Sequence, residues 1–130
     1  MPRPVPLVAR ALLGAAFLVF GLNGFLHFMA MPAPPAAAGA FLGALGASGY
    51  MFPLVKGIEV VAGVLLLSGR YVPLALLLLA PILVNIVAYH LFLAPDGTGL
   101  VLFLVALELV LAWAYRDSFA GVLAGRAQPR

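Results

Sequence analysis

The chain contains no cysteine and very little charge, and these two shortages exclude most classes of protein. Without cysteine there can be no disulfide, thiolate metal site or cysteine nucleophile. Only 8% of the 130 residues are charged and 65% are hydrophobic, whereas a soluble domain has about 25% charged residues. Water cannot solvate such a surface, and disordered segments are poor in large apolar residues. The composition therefore excludes both a soluble globular domain and a disordered chain.

What the sequence has instead is four long apolar runs. Each contains about 18–23 residues, and a helix needs about 20 to cross a hydrocarbon core. Backbone polar groups in lipid must bond to one another, and no run alternates in polarity as a barrel strand would. We therefore predict an all-α integral membrane protein, a four-helix bundle that forms a single domain over residues 1–130. Its spans lie at about 7–29, 50–67, 72–93 and 97–115, followed by a short tail at 116–130.

The breaks between the spans have recognisable causes. Pro32, Pro34 and Pro35 cannot continue a helix, and the small-residue stretch 36–47 after them predicts a short helix at the membrane interface. Turn-forming residues at 68–70 and 94–99 separate the later spans. The first run could also be read as a signal peptide, but no clear cleavage site follows it and three more spans do.

The basic residues predict the orientation. The amino terminus, the second loop and the tail must share one side of a four-span protein, and they carry all six arginines, whereas the first and third loops carry no basic residue. Under the positive-inside rule both termini then face the cytoplasm. The net charge of +3 is explained by this topology and by attraction to anionic lipid, so no nucleic-acid partner is predicted.

Polar side chains inside the spans are the candidate functional residues, because the bilayer disfavours them. At 1.5 Å per residue, all of them fall between the outer surface and the midplane, and the inner halves of the spans hold almost none. This asymmetry predicts one polar cluster with a cavity that opens outward or toward the outer leaflet. The candidate site consists of Asn23, His27, Lys56, Glu59, Asn85, His90 and Glu108.

Each candidate also has a structural interpretation. Lys56 and Glu59 lie three residues apart, so they can pair within one helix and act as a packing clip. The asparagines could be interhelical hydrogen-bond donors, and the histidines could be polar groups at the headgroups. Glu108 has no partner in its own span, so it must pair with Lys56 or a histidine, or carry a proton. No metal site is predicted, because no HxxxH or ExxH spacing is present.

Three segments resemble the DoxX-like family of small four-span membrane proteins. They are Gly21-Leu22-Asn23-Gly24 with His27-Phe28, the run from Phe52 to Leu67 that contains Lys56-Gly57-Ile58-Glu59, and the run Pro81 to Ile86 with His90. The resemblance extends from Arg10 to about Tyr115. It implies a multi-pass protein of the bacterial cytoplasmic (inner) membrane, associated with a thiosulfate:quinone oxidoreductase or a related redox complex. It does not imply an established reaction.

Two functions are compatible with these residues. In one, the chain is a non-catalytic or quinone-interacting subunit of a membrane oxidoreductase complex, with no intrinsic cofactor and the redox centre on a partner subunit. In the other, it is an assembly or chaperone factor in which the polar cluster is structural. Transport of a small solute is a third possibility. The glycine- and alanine-rich faces of the first two spans would suit close packing or a homodimer.

Overall fold

The computed structural model describes all 130 residues and is entirely helical, with no strand. Five α-helices and one short 3-10 turn follow one another along the chain. They are α1 (Pro4–Leu26), α2 (Ala36–Ala47), α3 (Met51–Ser68), α4 (Val72–Phe92), α5 (Thr98–Ala114) and the turn Arg116–Phe119. The prediction of an all-α chain is therefore confirmed.

Three of the helices, α1, α3 and α4, are long and apolar enough to cross a membrane. The fifth helix is also apolar but has only 17 residues. The helix α2 forms over the residues predicted for it, 36–47. The chain is therefore a membrane protein by the length and composition of its helices.

The four longer helices contact one another in cyclic order: α1 packs on α3, α3 on α4, α4 on α5, and α5 on α1. The contact between α1 and α3 is the most extensive, and α2 adds a smaller contact with α3. Short turns join α3 to α4 and α4 to α5. Gly69 ends α3 with a φ of 75°, and Gly97 precedes α5 with a φ of 86°, a conformation that glycine adopts without steric cost.

The interior is small, and the outer surface is largely apolar. Only 23 of the 130 residues are buried, and many large apolar side chains are exposed on α1, α3, α4 and α5. The core runs between α1, α3, α4 and α5 and includes Leu13, Leu66, Leu76, Leu79 and Leu111. Helices that are apolar on all sides match a lipid environment, in which the outward faces need no polar residues.

The ends of the helices differ from the predicted spans mainly in α1, which begins and ends three residues earlier than the run 7–29. It stops because His27 takes a left-handed conformation, with a φ of 51°. The other three bounds agree to within one or two residues. After α5, the 3-10 turn buries Phe119 against the core, so the first residues of the predicted tail belong to the folded body.

Candidate functional site

Two of the predicted site residues, Lys56 and Glu59, form an ion pair within α3. Lys56 Nζ lies 3.2 Å from Glu59 Oε2 and donates a hydrogen bond to it. Glu59 is only 3% exposed, whereas the side chain of Lys56 is 25% exposed. The pairing expected from the three-residue spacing is thus confirmed. The pair neutralises a buried carboxylate inside one helix, so no other helix has to supply the cation.

Glycines on α1 make room for this pair. A Cβ atom added at Gly21 would lie 3.1 Å from the Cβ of Glu59 and 3.0 Å from the backbone nitrogen of Val60. A Cβ added at Gly24 would overlap the methylene groups of Lys56. The backbone of α1 therefore passes directly over the turn of α3 that carries both charges, a close approach that small residues favour.

Glu108 lies at a different contact, between α4 and α5. It is 9% exposed and makes no hydrogen bond or ion pair with any other residue, and its Oε2 is fully buried without a partner. A groove with a volume of about 270 Å³ runs over it. Apart from Glu108 the groove is lined by apolar side chains, those of Ala80, Leu83, Val84, Val87, Val105 and Leu109.

The end of α1 uses Asn23 and His27 in its own loop. The Oδ1 of Asn23 accepts a hydrogen bond of 2.7 Å from the backbone N–H of Met29, and its Nδ2 donates to the carbonyl of Met29 at 3.4 Å. His27 is the left-handed residue between them, and its side chain is exposed. Asn23 therefore folds the chain back after the helix, a role different from both roles weighed for it above.

His90 fixes the loop between α4 and α5 in a similar way. Its Nδ1 lies 2.9 Å from the carbonyl oxygen of Ala94 and 3.0 Å from that of Asp96. Because carbonyl oxygens only accept hydrogen bonds, Nδ1 carries the hydrogen and Nε2 is left as an acceptor in the neutral ring. Asn85, one and a half turns earlier, is exposed on the outside of α4.

The seven predicted residues therefore lie at several separate places in the structure. Lys56 and Glu59 are the only two of the seven that bond to each other. The cross-helix pair considered for Glu108 does not form. No three histidine or carboxylate side chains lie close enough together to hold a metal ion.

One polar contact was not singled out by the sequence. Arg10 Nη1 lies 3.5 Å from the hydroxyl oxygen of Tyr115, and this weak hydrogen bond links α1 to the end of α5. From the sequence alone, Arg10 contributes only to the predicted orientation in the membrane. Its position in the second turn of an apolar helix, six residues after the first helical residue, is the signal that could have identified it.

Comparisons with known proteins identify no relative of this chain. No family model matches the chain, and no curated protein or solved structure is significantly similar to it. The resemblance to the DoxX-like family rests on the three segments described above.

Proposed function

We propose that the chain is a DoxX-like membrane protein of the bacterial inner membrane that spans the bilayer four times. In this proposal α1, α3, α4 and α5 cross the membrane, α2 lies at the outer interface, and both termini face the cytoplasm. The cyclic contacts of these four helices support it. So does the length of α5, since 17 residues at 1.5 Å each reach about 26 Å, close to the thickness of a thin hydrocarbon core.

We further propose that the protein binds a quinone as a subunit of a membrane oxidoreductase complex. The observation that carries this proposal is Glu108, a buried carboxyl group without a partner at the base of an otherwise apolar groove. A protonated carboxyl group can donate a hydrogen bond to a carbonyl oxygen. The apolar walls would hold the ring and the first part of the tail, so the groove offers both kinds of contact that a quinone needs.

The position of the groove supports a ligand that arrives through the lipid. It lies between α4 and α5 on the outside of the protein, and Val84 on its edge is 70% exposed. A bound quinone would exchange electrons with a redox centre on a partner subunit. Glu108 would hold a proton at its carboxyl group beside the ligand.

The alternative function, an assembly or chaperone factor, also has an observation in its favour. Lys56 and Glu59 satisfy each other, and the side chains of Asn23 and His90 bond to their own loops. These contacts favour structural roles for the four polar groups. In this alternative Glu108 would receive a polar side chain from the membrane helix of a client protein.

Quinone binding to the purified protein in nanodiscs tests the first function. We expect saturable binding of a short-chain ubiquinone or menaquinone analogue by the unmodified protein. Replacing Glu108 by Leu removes the hydrogen-bond donor while keeping a side chain of similar size, so binding should be lost. Glu108→Gln keeps a donor and should retain most of the affinity. Leu102→Ala is the matched control, because Leu102 is an exposed residue of α5 outside the groove.

Two outcomes would contradict the quinone proposal. One is the absence of saturable binding by the well-folded protein. The other is binding that Glu108→Leu and Leu102→Ala reduce equally, since the quinone would then not use the groove. In the first case the assembly function would become the preferred proposal. Crosslinking from Val84, at the edge of the groove, would then be used to trap the client helix.

A further inference from the structure

Asn85 places an amide group on the outer, apolar surface of the protein. It lies three residues beyond the midpoint of α4, about 4.5 Å along the helix axis. The residue is exposed, and its side chain makes no hydrogen bond with any other residue. Away from the helix ends, every other polar residue of the four long helices is buried or half-buried. Asn85 is therefore the exception among them.

An exposed amide at this depth is unfavourable in a single copy of the chain. α4 is long and apolar enough to cross a membrane, so the middle of its outer surface faces hydrocarbon, which offers no hydrogen-bond partner. Asn85 is seven residues from the end of α4, about 10 Å along the axis, and its short side chain cannot reach the headgroups. Its amide therefore needs a partner outside the chain.

Asn85 belongs to a continuous strip along α4. Successive members are alternately four and three residues apart, the spacing with which a helix presents one seam to a second helix. None of them is buried, and Phe92 at the outer end is 83% exposed. The members of this Asn85 strip are Leu74, Leu78, Pro81, Asn85, Ala88 and Phe92. A single asparagine in an otherwise apolar seam fixes the register of two parallel helices.

A second copy of the chain meets the requirements of this strip. An amide has both donors and an acceptor, so two of them can bond reciprocally. Two copies inserted in the same orientation can be related by a two-fold axis along the membrane normal, and a residue near that axis then faces itself. The glycine-rich faces that would also suit a dimer are occupied within the chain. A Cβ atom added at Gly21 would lie 2.9 Å from Val60, and one added at Gly63 would lie 2.7 Å from Leu18.

We propose that the chain forms a homodimer in the membrane through the Asn85 strip, with the two Asn85 amides hydrogen-bonded to each other. The apolar members of the strip pack on either side of this polar contact. The strip shares no residue with the groove over Glu108, so the dimer does not depend on quinone binding.

Cross-linking in native membranes tests which surface the two copies share. The chain has no cysteine, so one introduced residue reports its own position. We expect Ala88→Cys, one turn from Asn85, to form a disulfide-linked dimer on oxidation with copper phenanthroline. Leu102→Cys is the matched control, because Leu102 is exposed on α5 four residues from its outer end, as Ala88 is on α4. It should not cross-link.

The strength of the dimer tests the role of the amide. Full-length copies labelled with donor or acceptor dyes through Gln128→Cys in the exposed tail are mixed in liposomes, and energy transfer is measured against the protein-to-lipid ratio. We expect Asn85→Leu to weaken the dimer about tenfold, the effect of a hydrogen bond between membrane helices. Asn85→Gln keeps the amide and should retain most of the affinity. Leu102→Ala should leave it unchanged.

Three results would overturn the proposal. The first is the absence of cross-linking in Ala88→Cys, and the second is equal cross-linking in Ala88→Cys and Leu102→Cys, which would indicate random collision. The third is a dimer that Asn85→Leu weakens no more than Leu102→Ala does, since the amide would then not hold the copies together. If Asn85→Leu does not accumulate in membranes, Asn85→Ala takes its place with the same expected loss.

Discussion

The contact between α1 and α3 and the contact between α4 and α5 each bury one glutamate, and they treat it in opposite ways. Glu59 is paired with Lys56, and the glycines of α1 bring the two backbones together over the pair. Glu108 has no partner, and an open groove lies over it. A buried glutamate therefore belongs to a closely packed interface in one case, whereas in the other its carboxyl group remains available to a ligand.

This difference shows how a structural carboxyl group can be told from a candidate functional one in a membrane protein. A structural one has its counter-charge in place and close packing around it, because a buried ion without a partner is costly. A functional one keeps an unused hydrogen-bonding atom beside a space that a ligand can enter. Four substitutions test the contrast.

Removing the cation from the closed interface should have the largest effect. Lys56→Met leaves Glu59 buried without a partner, so we expect a loss of about 3 kcal/mol in the free energy of unfolding. The double variant Lys56→Met with Glu59→Leu should recover most of it. The measurement is SDS-induced unfolding in mixed micelles, followed by circular dichroism. Equal stability of the unmodified protein and the single variant would mean that Glu59 does not depend on Lys56.

Separating the two backbones should have the next largest effect. A Cβ atom at Gly63 would lie 2.7 Å from the backbone nitrogen of Leu18 and 2.9 Å from the carbonyl oxygen of Gly14. Gly63→Ala must therefore push α1 away from α3, and we expect a loss of about 2 kcal/mol in the same unfolding assay. Gly57→Ala is the control on the same helix, because nothing lies within 4 Å of its added Cβ. If both variants lose the same stability, close approach is not the cause.

Replacing Glu108, the glutamate without a partner, should raise the stability of the protein rather than lower it. Glu108→Leu replaces a buried carboxyl group that has no partner by an apolar side chain, so we expect a gain of about 1 kcal/mol. Glu59→Leu, in contrast, should be destabilising, because Lys56 then loses its partner. Thermal melting of the two variants in parallel shows whether the signs are opposite. A loss of stability in Glu108→Leu would indicate a structural role for this residue as well.

The smallest effect is expected at Gly24, where the neighbour is flexible. A Cβ atom there meets the methylene groups of Lys56, which can move without shifting a backbone. Alanine also has a higher helix propensity than glycine, by about 1 kcal/mol. The two effects should nearly cancel in Gly24→Ala, so its melting temperature should stay close to that of the unmodified protein. A loss as large as that of Gly63→Ala would show that the stem of Lys56 is held rigidly.

The sequence predicted the helices and one polar contact for clear physical reasons. Prolines and glycines mark the ends of the apolar runs, so the bounds of α2, α3, α4 and α5 follow from the residues themselves. The pair of Lys56 and Glu59 follows from helical spacing. Both are local properties of a single segment, and the bilayer does not alter them.

The arrangement of the remaining polar residues was not predictable for an equally physical reason. Each helix is apolar on nearly every side, so no hydrophobic face indicates which way it turns in the protein. The outward position of Asn85 and the groove over Glu108 depend on that rotation. The loop roles of Asn23 and His90 depend on backbone turns after their helices, such as the left-handed conformation of His27.

The position of the Lys56–Glu59 pair on a single helix has a consequence for biosynthesis. Because the two residues are three apart, they can bond as soon as that turn of α3 has formed, before any other helix is present. The segment can therefore leave the translocon as an electrically neutral unit and enter the lipid alone. The segment around Glu108 has no such internal partner, so if α5 also crosses the membrane, as proposed above, its entry would wait for a proton or for a neighbouring helix. The two halves of the protein are thus expected to insert by different routes.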